Sequence, residues 1–89
     1  MQQPAADYAT WKAGYDHHGA SRKEHGAIRD QVLQSADDPN NLLVLIEFGS
    51  MADAQAFASA PSLKQAMSAA GVIGAPDISF RERTDEVIY

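Results

Sequence analysis

Apolar positions along this 89-residue chain fall into two rhythms, one helical and one alternating. From Asp7 to His25 they recur at helical spacing, placing Tyr8, Trp11, Tyr15, His18 and Arg22 along one face. The stripe begins as aromatic core and ends in an imidazole and a guanidinium. A helix that only packs would finish in Leu or Ala, so its last turns are expected to face a polar pocket. Asp7 is a candidate N-cap. Gly14 and Gly19 weaken the helix, a break is expected near His17–Gly19, and Gly26 ends it. Ile28 to Ser35 reads as a strand, with Ile28 and Val32 on one face and Leu33 on the other. Asp37-Asp38-Pro39-Asn40 is turn chemistry. Leu42 to Phe48 is the strongest strand: Leu42, Val44, Ile46 and Phe48 face one way, Leu43, Leu45 and Glu47 the other. Both faces are mostly apolar, so both are expected to be covered.

Ser50 caps a second helical stretch with Asp53 in the capping-box position and Ala54, Phe57 and Ala58 as its stripe. Pro61 opens a further segment with the stripe Leu63, Ala66, Met67 and Ala70. Gly71 and Val72 are set for a Schellman ending. After Gly74 and Pro76 a last strand carries Ile78 and Phe80, followed by a charged stretch and Val87-Ile88-Tyr89. Residues 1–6 read as a flexible lead-in and residues 7–89 as one domain. The order helix, strand, strand, helix, strand is the ferredoxin-like βαββαβ pattern of an α+β fold, with the first strand missing or replaced. That strand is central in the topology. The N-terminal tail, a re-paired last strand or a partner's segment must fill its place. Arg81 to Tyr89 is the best candidate, because Val87-Ile88-Tyr89 has strand character.

Composition narrows the function. The chain has no cysteine, hence no disulfide and no thiolate metal site. Its net charge is −5 with seven scattered Lys and Arg, which excludes the basic footprint of a nucleic-acid binder and argues against an anionic membrane surface. No apolar run is long enough to span a bilayer, and the first residues lack signal-peptide character, so cytoplasmic residence is expected. A domain this small gains core by dimerising. His17, His18 and His25 lack metal-ligand spacing, and the Asp37–Asn40 turn lacks the glycine and terminal Glu of an EF-hand. No phosphate loop or nucleophile elbow is present, so neither metal nor cofactor is expected.

The series Asp7-Tyr8-x-x-Trp11-Lys12, Tyr15-Asp16-x-His18, Arg22, Asp37-Asp38-Pro39-Asn40, Glu47-Phe48, Phe57, Ser59-x-Pro61-x-Leu63, Ala66-Met67 and Ala70-Gly71-Val72-x-Gly74-x-Pro76 resembles small bacterial proteins of the dimeric α+β barrel superfamily. The likeness is to domains of the antibiotic-biosynthesis-monooxygenase type. The resemblance implies a homodimer of ferredoxin-like protomers, with a cavity between sheet and helices in each. Its members include cofactor-free monooxygenases of aromatic polyketides, polyketide cyclases, haem-degrading enzymes and lactone isomerases.

Among the residues themselves, His18 and Arg22 form the sharpest pair, since one helical turn lets both grip an anionic or enolic oxygen. An imidazole also titrates near neutral pH, which suits a general base. Against this stands a structural reading, with His18 capping carbonyls and Arg22 paired to Asp16, Glu24 or Glu47. Tyr8, Trp11 and Tyr15 either stack on a flat ligand or form core. Glu47 is either a paired interface group or a pocket acid. The leading expectation is a cofactor-free monooxygenase or polyketide cyclase acting on an aromatic or polyketide-like substrate. His18 and Arg22 would be catalytic, and Tyr8, Trp11, Tyr15 and Glu47 substrate-binding. The alternatives are a non-catalytic small-ligand-binding dimer and a structural or interaction domain.

Overall fold

The computed structural model describes residues 1–74 and 76–89. Three strands form one antiparallel sheet: β1 (Gln2–Pro4), β2 (Ala27–Gln34) and β3 (Asn41–Phe48), in the order β1-β3-β2. Helices α1 (Tyr8–His17) and α2 (Gly19–Glu24) lie between β1 and β2, and α3 (Met51–Ser59) and α4 (Pro61–Ala69) follow β3. The arrangement is ferredoxin-like α+β, with β1 beside β3 as that topology requires.

That first strand corrects the reading of residues 1–6 as a lead-in. Gln2, Gln3 and Pro4 pair with Leu43, Leu42 and Asn41. The segment is too short for alternation to be visible, and Pro4 argues against a strand. Tertiary position overrides both, because the Gln3 side chain is buried where its amide meets the Trp11 indole. The C-terminal tail therefore does not take the central place. The last strand is not formed either. Val72 bridges Ala5 and Asp77 bridges Gln2, and no regular strand follows among residues 78–89. A strand as short as β1 gives Ile78 and Phe80 nothing further to pair with.

The expected break in the first helix falls at His18, which is the C-cap of α1 and the N-cap of α2. Asp7 caps α1 by accepting from the Thr10 N–H. Gly26 adopts φ +92°, and Gly71 φ +83°. At Gly71 the Schellman bonds are complete: Val72 N–H donates to Met67 and Gly71 N–H to Ser68. In the β2–β3 turn, Asp38 accepts from the Asn40 and Asn41 N–H groups.

The core lies between the sheet and the helices, where Leu42 and Val44 meet Trp11, Ala5 and Ala70. Ile28 does not join Val32 there. A bulge between Ala27 and Arg29 breaks the alternation and leaves Ile28 exposed. The opposite sheet face is open in the protomer, with Leu33, Leu43 and Leu45 each 39–47% exposed. The two apolar faces of β3 are thus covered on one side only.

Candidate active site

The end of the aromatic stripe is built around one carboxylate. Asp30 on β2 shares the core-facing side of its strand with Val32 and reaches α1 and α2 from below. Its Oδ2 accepts from the Tyr15 hydroxyl at 2.6 Å and from Arg22 Nε at 2.8 Å. Arg22 also donates to the Tyr15 carbonyl at 2.8 Å, and its guanidinium carbon lies 3.6 Å from the centre of the Tyr15 ring. Three contacts thus fix a guanidinium that is nearly buried. None of Asp16, Glu24 or Glu47 is its partner, and Asp16 is bound to Lys12.

His18 follows one turn before Arg22. Its ring packs against Phe57 at 6.1 Å, and its Nε2 is buried with no hydrogen-bond partner. The carbonyl-capping alternative is therefore not realised at that nitrogen. Burial, then the nearby Arg22 charge, holds its pKa below the ordinary histidine value, so the ring is neutral at pH 7. Burial and the bond to Asp30 push the Tyr15 phenol well above its usual pKa, so it stays protonated.

Trp11, Tyr15, His18 and Arg22 line a recess of about 30 Å³ under α1, room for a single water. The roomy pocket expected between sheet and helices is absent at this point. A cavity of about 860 Å³ lies alongside, between β3, α3 and residues 77–86. Met1, Ile46, Phe57 and Leu63 border both spaces. Trp11 stacks on Tyr15 at 4.8 Å and on Tyr8 at 6.2 Å, so Tyr8 backs the aromatic wall without lining either space.

Glu47 stands apart from this group. It projects to the sheet face away from the helices, where it pairs with Arg29 at 2.7 Å and Arg83 at 3.3 Å and lines the larger cavity. His25 Nδ1 meets the Ser21 carbonyl at the end of α2, and His17 is exposed. Among the described residues no group of three or more His, Cys, Asp or Glu could hold a metal ion. No described helix is long and apolar enough to cross a membrane.

Three contributors were not read from the sequence as site residues, although Phe57 was placed in the core stripe of its helix. Gln3 fixes the Trp11 indole at 3.1 Å, Asp30 organises Tyr15 and Arg22, and Phe57 walls His18. Asp30 did leave a signal, as an acid two residues before Val32 on the same face of a strand. Gln3 left none.

No curated protein and no solved structure matches the chain. The model of one family, described as antibiotic biosynthesis monooxygenase, matches residues 8–69, from the first helix through the last. A match over more than half of the chain, on a ferredoxin-like protomer, makes this protein a member of the antibiotic biosynthesis monooxygenase family.

Proposed function

We propose that this protein is a small-molecule enzyme of the cofactor-free monooxygenase or cyclase type. It takes a proton from an aromatic or polyketide-like substrate with His18 as the base. The observation that carries the reading is the neutral imidazole with a buried, unpartnered nitrogen beside a cavity of substrate size. Arg22 supplies fixed positive charge next to the enolate that forms, without needing to reorganise. Trp11 and Tyr15, with Tyr8 behind them, make the aromatic wall. Glu47 stands at the far mouth of the cavity.

Family membership supports small-molecule chemistry of this kind. Proton abstraction from an activated methylene leaves a carbanion delocalised into the neighbouring ring and carbonyl. With dioxygen as co-substrate the methylene becomes a carbonyl, one oxygen atom is retained and the other leaves as water. With an internal carbonyl the same carbanion closes a ring. Two copies of the chain would cover each other's Leu33, Leu43 and Leu45, the apolar face a single protomer leaves bare.

Oxygen uptake with anthrone, an aromatic ketone bearing an activated methylene, tests the assignment. His18→Ala is expected to lower the rate to the uncatalysed level while the melting temperature changes little. An unaltered rate, or a steep fall in the melt, removes His18 from catalysis.

The 30 Å³ recess favours a second reading, a dimer that binds a ligand in the larger cavity without turning it over. Anthrone would then raise the melting temperature with no product formed.

A further inference from the structure

The recess under α1 is too small for a fused-ring substrate and too apolar to hold a water firmly. Its volume of about 30 Å³ admits one small molecule, and its walls come from α1, α2, α3, α4 and β3. Ile46, Phe57, Leu63, Ala66, Met67 and Ala70 supply the apolar part. The polar side chains beside them are largely bonded elsewhere. Trp11 Nε1 donates to Gln3 at 3.1 Å, and the Tyr15 hydroxyl donates to Asp30 at 2.6 Å. Arg22 donates to Asp30 and to the Tyr15 carbonyl, both at 2.8 Å. Among the described residues lining the recess, His18 Nε2 is the buried side-chain polar atom left without a partner. A buried water needs roughly two to four polar partners, so a single nitrogen does not retain one. Dry apolar space instead takes up small apolar molecules.

Building on the monooxygenase form of the proposed function, we infer that this recess is the dioxygen site, separate from the cavity that takes the organic substrate. Dioxygen is apolar, close to water in size, and accepts only a weak hydrogen bond. That chemistry suits an apolar space with one unpaired nitrogen on its wall. Position supports it independently. Ile46, Phe57 and Leu63 border both the recess and the larger cavity, so a gas molecule in one lies next to substrate in the other.

The charges then fall where the electrons go. His18 takes the substrate proton at Nε2 and becomes an imidazolium on the wall of the gas site. The carbanion carbon bonds to one oxygen atom at the shared border. The O–O double bond becomes single, and the electron pair settles on the outer oxygen. That oxyanion takes the proton back from His18, which leaves a neutral imidazole and an organic hydroperoxide. Loss of water from the hydroperoxide gives the carbonyl product. Arg22, on the same wall, stabilises the negative charge on oxygen while it lasts. One nitrogen thus serves first as base and then as acid.

Methyl NMR of the substrate-free protein under dioxygen pressure tests the site without turnover, because the paramagnetic gas speeds relaxation of the nuclei it touches. The methyl signals of Ala66, Met67 and Ala70 are expected to gain roughly threefold or more in relaxation rate over those of Ala5 and Leu42, which are buried but do not border the recess. Ala66→Leu, which fills the space, should remove the excess at Met67 and Ala70. Equal gains at the recess methyls and at Ala5 and Leu42 overturn the proposal. Nuclear Overhauser contacts from water to the Met67 and Ala70 methyls also overturn it, by identifying the occupant as water. If the recess methyls respond while anthrone consumes no oxygen, the gas site stands and the proposed reaction falls.

Discussion

Asp30 holds Arg22 in place from a strand neither helix belongs to: Oδ2 receives Nε at 2.8 Å and, on the same oxygen, the Tyr15 hydroxyl at 2.6 Å. Removing the anion leaves a nearly buried guanidinium with only a carbonyl and a ring. Asp30→Asn is expected to destabilise the fold by about 2 kcal/mol, below the full cost of breaking a buried pair because the carboxylate is partly solvated. Tyr15→Phe removes one hydrogen bond and should cost about 1 kcal/mol. Urea unfolding of the two variants measures both, and a smaller loss for Asp30→Asn than for Tyr15→Phe would contradict the arrangement.

The His18 imidazole titrates below the ordinary histidine value because it is buried next to Arg22 and the other two histidines. As pH falls below about 6.5, the unfolded chain takes up a proton that the folded chain refuses. Stability is therefore lost on the acid side, down to the folded-state midpoint. Proton NMR of the ring should give a midpoint under 6.5, and Arg22→Met should raise it.

At the alkaline end Tyr15 supplies the opposite sign. Its folded pKa is raised by burial and by Asp30, so its contribution is complete below pH 10. Stability then falls as the phenol of the unfolded chain ionises. Thermal melts between pH 9 and 11 should decline less steeply for Tyr15→Phe than for the parent.

Gly14 lets two helices touch. A Cβ at Gly14 would stand 2.8 Å from Ala70 Cβ. Gly14→Ala gains about 1 kcal/mol in helix propensity, yet the forced separation of α1 and α4 costs about 1–3 kcal/mol. A net loss is expected in chemical denaturation. Adding Ala70→Gly to the variant should recover part of it.

If the open sheet face closes against a second copy, a charge there will prevent it. Leu45→Lys is expected to convert a dimer to a monomer in sedimentation equilibrium while leaving the protomer folded. Leu45 makes no part of the core between sheet and helices, and it is 45% exposed.

Much of this fold was legible because local chemistry and tertiary demand agree. Asp7, Ser50, Gly26 and Gly71 punctuate the helices as their side chains or positive φ require, and the apolar run Leu42–Phe48 sorts by strand parity onto two faces. Strand β1 was not, since three residues containing a proline carry no period and are held by their neighbours. The expected last strand failed for a related reason, having no long partner beside it.

In the site, the helical spacing of Trp11, Tyr15, His18 and Arg22 foretold that they would converge. Glu47 was separated from them by the sheet itself, as the parity of β3 implied. Asp30 depended on which residue of β2 faces inward, which the bulge at Ala27–Arg29 obscures.

The shared border of Met1, Ile46, Phe57 and Leu63 has a bearing on selectivity. On the proposed function, a substrate moving from the wide chamber toward the imidazole passes the Phe57 ring and the side chains of Met1, Ile46 and Leu63. Sheets of fused rings, about 3.5 Å thick, need only a small parting of those walls, whereas puckered saturated skeletons need a much larger one. On that reading flatness rather than charge decides admission, and trimming Phe57 to a smaller side chain would relax it.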